Sequence, residues 1–261
     1  MSEGPLKSLD MFENGYFWEL YKDLERQFEN YLEYVPFIDG NEGVHSFKLL
    51  NLIVSIGGYV DSAFKEMAKY PRFSANEECG KILERLEAAK ISVQKGERPV
   101  YPSIKLCLTA FEKEYKLSLR KILFKKLDKR EYMTPFKPYN PETHAPYWWD
   151  IYNGLKHELG MNFKEASLKN TLKALAGAFL LNVIHEPSVL RLFRYGTLRI
   201  GTQAVTGPDV GIRVKDYLDP AKSGLYALRF WLENKKEFDG VVETPLFVYD
   251  YREPNRYETS T

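Results

Sequence analysis

Asn153, Lys156 and His157 stand at i, i+3 and i+4 in the segment YWWDIYNGLKHELG, residues 147–160. On an α-helix this spacing sets an amide, an ammonium and an imidazole on one face. An imidazole suits proton transfer near neutral pH, and a cation with an amide donor suits phosphate oxygens. Acid–base chemistry at a phosphate ester needs both a base and an acid. One such helix carries a single His, so a two-fold dimer would have to supply the second. No metal and no cofactor enter that chemistry. His157, Lys156 and Asn153 are therefore the candidate catalytic residues. They also have a purely structural reading. His157 can donate to a buried carbonyl, Asn153 can cap a neighbouring loop, and Lys156 can lie on the surface with its stem along Trp149.

The candidate binding residues are Tyr152 and Trp149 beside that face, with Lys125 and Lys126 in the basic run KILFKKLDKR, residues 121–130. Such a run can hold phosphates or form a solvated face. Trp148 and Trp149 are expected to pack the core and the proline connector before them rather than to stack bases. At least one should meet Phe136 or Tyr139.

The net charge of the 261 residues is +1, from 37 basic and 36 acidic side chains, so no bulk positive field draws in nucleic acid. A local patch would have to do so. Apolar residues make up 44% and aromatic residues 15%, enough to bury a sizeable core. Cys79 and Cys107 form no CxxC pattern. His45, His144, His157 and His185 have no metal-type spacing. A reducing, cytoplasmic setting without a metal centre is expected. The N-terminal residues are polar and lack a signal-peptide core, and the longest apolar run, residues 174–184, is too short to span a bilayer. No membrane association is expected. P-loop, G-x-S-x-G, paired-carboxylate and zinc patterns are absent from the sequence.

Apolar spacing of three and four predicts helices over residues 14–35, 45–70, 78–91, 103–119, 147–159 and 163–184. The first should turn Phe17, Leu20, Leu24, Phe28 and Tyr31 inward, and the second Phe47, Leu50, Ile53, Gly57, Val60, Phe64 and Met67. Glycine at 57 and 58 costs a mid-helix position roughly 1 kcal/mol each against alanine, which implies a close neighbour. Residues 119–124 read equally as a strand or a helix extension. Four prolines between 135 and 146 predict a rigid extended connector. The helix over 163–184 is apolar enough to be central. His185 and Glu186 close it, with His185 as a favourable cation at the helix end. Beyond Pro187 the chain turns to short strands and loops, with residues 225–233 open between strand and helix.

The order of elements, with Pro135-Phe136-x-x-Tyr139, Trp148-Trp149-x-x-Tyr152-Asn153-x-x-Lys156-His157 and then a Leu/Ala-rich helix, resembles the HEPN superfamily. It is most similar to a microbial HEPN-like group that carries WW-x-x-YN-x-x-KH. The resemblance covers about residues 14–185. It implies an all-α helical bundle that pairs as a homodimer and acts on or near RNA. The expected division is a helical domain at 10–188 and a C-terminal appendage of mixed or β character at 189–261. In active HEPN ribonucleases an Arg precedes a polar residue and, about five positions on, a His. Asn153 matches the polar position and His157 the His. Tyr152 stands in place of the Arg, so either Lys156 supplies the cation or catalysis is lost. Two classes of function follow. One is a non-catalytic or degenerate module that binds RNA, a nucleotide or a protein partner. The other is a metal-independent endoribonuclease of a defence or toxin type using His157.

Overall fold

The computed structural model describes residues 11–12, 14–125, 131–138, 145–158, 162–200 and 240–251. Helix α1 is Tyr16–Leu32, α2 is Phe47–Met67, α3 is Glu77–Gln94 and α4 is Ile104–Tyr115. Strands β1 (Ile122–Phe124) and β2 (Glu131–Met133) follow, then α5 (Tyr147–His157), α6 (Leu168–Ile184) and α7 (Glu186–Arg194). Strands β3 (Leu198–Ile200), β4 (Gly240–Glu243) and β5 (Phe247–Asp250) complete the described chain.

Short polar side chains start most of the helices. Ser46, Ser103 and Ser167 accept from the backbone N–H of Leu49, Leu106 and Asn170, and Asn76 accepts from those of Glu78 and Cys79. Each cap satisfies a donor that the first turn leaves free. Ser167 also explains why the central helix begins at Leu168, five residues later than its apolar run suggests. Phe163–Glu165 forms a separate 3-10 turn. Helix α4 ends at Lys116 in the left-handed region (φ 49°), short of the expected Leu119. Its last turn is diverted by side chains. Glu112 accepts from the backbone N–H and hydroxyl of Ser118, and Arg120 Nε donates to the Tyr115 carbonyl.

Helix α6 is the centre of the molecule. Leu172, Leu175, Phe179 and Val183 are buried, and so is nearly every other side chain around its circumference. α1, α2, α5 and α7 pack on it. α2 is long and apolar enough to cross a membrane by length and composition alone, but Ile53, Val60, Phe64 and Met67 are buried in this core. Two expected inward residues turn out otherwise: Leu20 is exposed at 41%, and Phe47 at 71%. Leu20 lies beside a buried face made by Phe17, Tyr21, Leu24, Glu25 and Phe28, and Phe47 is the first residue of α2.

The described chain is mainly helical, as expected, and the expected β character at the C-terminal end is present in β3, β4 and β5. These join β1 and β2 in one five-stranded antiparallel sheet in the order β2-β1-β5-β4-β3, so the fold is not all-α. Residues 122–124 resolve as a strand, with Phe124 opposite Phe247 in the register. Phe247 stacks on Phe179 of α6 with ring centroids 5.5 Å apart, and Phe37 meets Phe124 edge-on at 5.3 Å. The buried Glu25 of α1 holds the β4–β5 turn, accepting from Thr244 Oγ1 and from the backbone N–H of Leu246 at 3.1 Å. Burial raises its carboxyl above the ordinary range, with these donors working against the rise. The expected boundary at residue 188 falls inside α7, and β5 pairs with β1, so strands from both sides of that boundary share one sheet. Residues 225–233 lie outside the described ones.

His185 corrects a second expectation. It is not a cation at a free helix end. It is buried at the α6–α7 junction among Phe12, Tyr70 and Phe73, with Nδ1 3.2 Å from the Tyr115 hydroxyl. Burial, helped by the Arg72 guanidinium, pushes its pKa down to about 3. Arg72 pairs with Glu186 and lies 3.6 Å from Glu114. The unfolded chain therefore takes up a proton near pH 6.5 that the folded chain refuses until far lower pH. Stability is full above about pH 6.5 and falls as pH drops toward 3, by up to about 1.4 kcal/mol per pH unit. Denaturant melts at pH 7 and pH 5 should show this slope, and His185→Phe should remove it. An unchanged slope in the variant would contradict the assignment.

Candidate functional site

The proline connector fixes α5 before α5 presents anything. The Trp148 indole N–H donates to the Pro135 carbonyl at 2.7 Å, and its ring meets Phe136 edge-on at 5.9 Å. The same indole lies on Gly177 of α6, where an added Cβ would come within 3.1 Å of it. This is the packing expected of Trp148; Tyr139 lies outside the described residues. One turn later Tyr152 seats its ring on Gly57 of α2, so closely that a Cβ at Gly57 would stand 2.2 Å from it. The close neighbour implied by the two glycines is thus Tyr152, and it meets Gly57 alone: nothing lies within 4 Å of a Cβ on Gly58. Trp148 and Tyr152 together clamp α5 between α6 and α2. Trp149, buried as well, packs on Trp148 and Tyr152.

That clamp leaves the other face of α5 outward. Lys156 and His157 are exposed and Asn153 is half-buried. Lys156 Nζ lies 5.8 Å from the centre of the Tyr152 ring, so its stem follows Tyr152 rather than Trp149. Both basic residues occupy the last turn of α5, where the helix dipole favours a cation. Gly154 takes close approach from a side chain: the Asn162 amide would stand 2.9 Å from a Cβ there.

The structure adds neighbours that spacing alone did not single out. Asp150 is three residues before Asn153 and seven before His157, on the same helical face, and burial raises its carboxyl. The i, i+3, i+7 pattern carried that signal. Asp61 and Lys65 of α2 form an ion pair beside Tyr152. Burial first, and then the Asp61 carboxylate, raise the Tyr152 phenol. Only folding brings these α2 residues to α5.

The remaining candidates stand elsewhere. Lys125 is bound into the sheet, its ammonium 2.6 Å from Glu243 Oε1 and 3.0 Å from the Thr244 carbonyl. Lys126 and His144 lie outside the described residues. Cys79 and Cys107 are buried, and burial pushes their thiols up to about 11 and about 12, which disfavours the thiolate that nucleophilic chemistry requires. Among the described residues no group of three or more His, Cys, Asp or Glu could hold a metal ion.

The α5 face thus offers one amide, one ammonium and one imidazole to solvent. These can bind anionic oxygens. A cleaving site needs an acid and a base in reach of one phosphate, and α5 supplies one imidazole, with the part-buried Asp150 carboxyl the other titratable acid–base group on that face. No family model, curated protein or solved structure matches the chain.

Proposed function

We propose that this chain is a HEPN-like helical module that binds RNA or nucleotide phosphate at the outward face of α5 and does not cleave it. The observation that carries this reading is the division of α5 into two faces. Trp148 and Tyr152 are spent on packing, and Trp149, four residues before Asn153 on the same side, is buried as well, while Lys156 and His157 face solvent with Asn153 half-buried between them. The position that carries an Arg in the active enzymes it resembles holds Tyr152, whose ring is committed to Gly57. Position 152 therefore supplies no guanidinium beside Asn153 to take a developing phosphate charge. Association as a homodimer would double the face and raise affinity through two linked contacts.

The second reading, a metal-independent endoribonuclease, draws on the exposure of His157 and on Asp150 beneath the same face. Incubation of purified protein with mixed single-stranded RNA in EDTA separates the two. Intact RNA, retarded by the parent and less so by Lys156→Ala, is the expected outcome. Cleavage that His157→Ala abolishes would overturn the binding reading in favour of the enzyme.

A further inference from the structure

Phe47 opens α2 with its ring 71% exposed. It is not alone. Its ring tilts against Phe163 with centroids 4.7 Å apart, and Phe163 takes His45 edge-on at 5.2 Å. Backbone bonds hold the three rings together. His45 and Ser167 form an antiparallel bridge, and the N–H groups of Leu168 and Lys169 donate to the carbonyls of Val44 and Glu42 at 2.8 and 3.1 Å. The cluster therefore rests on the starts of two core helices, α2 and α6.

The charges around these rings favour an anion. Lys48 follows Phe47, Lys164 follows Phe163, and both are exposed. Of the nearby carboxylates, Glu42 pairs with Lys169, and Glu165 accepts from the Tyr147 hydroxyl at 2.9 Å but keeps its charge, leaving one carboxylate against the two lysines. Lys48 and Lys164 make no ion pair among the described residues. An open aromatic face rimmed by cations suits a flat ring that carries phosphates, which is an unpaired nucleobase in a single strand. A duplex hides its bases, and an acidic peptide would use the lysines without the ring.

We infer that Phe47, backed by Phe163 and flanked by Lys48 and Lys164, is a stacking platform for an unpaired base of single-stranded RNA. This deepens the phosphate-binding reading of α5 and rests on it for the class of ligand. It requires that the ring itself, and not charge alone, contribute affinity.

The test is a polarisation titration with a labelled single-stranded RNA of about a dozen nucleotides, alongside the same backbone without bases. Phe47→Ala should weaken binding about tenfold, since stacking of one base is lost. Its melting temperature should match the parent, because the ring is solvated. Phe47→Trp should restore affinity, and the abasic strand should bind parent and Phe47→Ala alike. Equal affinity of Phe47→Ala and parent for the normal strand would overturn the platform. So would equal affinity of the parent for normal and abasic strands. If Lys156→Ala loses binding while Phe47→Ala keeps it, the platform falls and the α5 reading stands. If the parent binds neither strand, both fall. A parent dimer that Phe47→Ala dissociates, with RNA binding unchanged, would assign this surface to a second copy of the chain and overturn the inference.

Discussion

Trp148→Ala is expected to destabilise the protein by about 3–5 kcal/mol, the range for deleting a large buried aromatic. The indole is fully buried, lies edge-on to Phe136 and covers Gly177 on α6. It also carries the hydrogen bond to Pro135 that ties the connector to α5. Truncation removes all three contacts, and α6 is too tightly packed around its circumference to collapse into the space. Trp148→Phe keeps most of the ring contact and leaves the Pro135 carbonyl without its donor, at a smaller cost of about 1–3 kcal/mol. Urea denaturation of the two variants should rank them in that order. A Trp148→Ala protein as stable as the parent would contradict the role of this side chain in holding α5.

Gly57 and Gly58 should respond to alanine with opposite signs. At Gly58 nothing lies within 4 Å of the new methyl, so the change keeps only the gain in helix propensity, about 0.8–1.0 kcal/mol. At Gly57 the methyl would stand 2.2 Å from the Tyr152 ring. That ring also packs on Trp149, with centroids 5.0 Å apart, which restricts its movement. Overpacking of this kind costs about 1–3 kcal/mol, more than the propensity gain. Gly57→Ala should therefore destabilise by up to about 2 kcal/mol after that offset and displace α5 from α2. Tyr152→Ala in the same chain should relieve part of the loss, a coupling that a double-mutant cycle reads directly. Additive losses would mean that the two residues do not meet as described. Because Lys156 lies along Tyr152, the displacement should also weaken RNA binding.

Periodicity located α1, α2 and α6 because each buries a stripe, and α6 buries its whole circumference. The packing of Trp148 on the start of the proline connector was also readable, since a chain with so few helical options must be anchored by its flanking aromatics, while residues 139–144 of that connector lie outside the described ones. Stripe spacing failed at helix ends. Phe47 fits the inner stripe of α2 by position, but it is the first residue of that helix and stays exposed. His185 was misplaced because a sequence does not show that α6 turns directly into α7 and closes over its own cap. Short strands past residue 187 were legible, and residues 119–124 were open to a strand, but their pairing was not: β1 is three residues long and pairs with β5, more than a hundred residues away, so no local pattern reports that register. The α5 face divided in the same way. Asn153, Lys156 and His157 follow from spacing within one helix. Asp61 and Lys65 reach Tyr152 only through the packing of α2 on α5.

The central claim is that the outward face of α5 holds RNA phosphates without cutting the strand. Titrating single-stranded RNA at increasing salt, with the products resolved on a denaturing gel, tests it most directly. The account predicts uncut RNA and an affinity that falls as salt rises. For Lys156→Ala it predicts a log–log slope shallower by about 0.7, one phosphate contact on a single strand. An identical salt slope in parent and Lys156→Ala, or RNA cut by the parent and spared by His157→Ala, would contradict it.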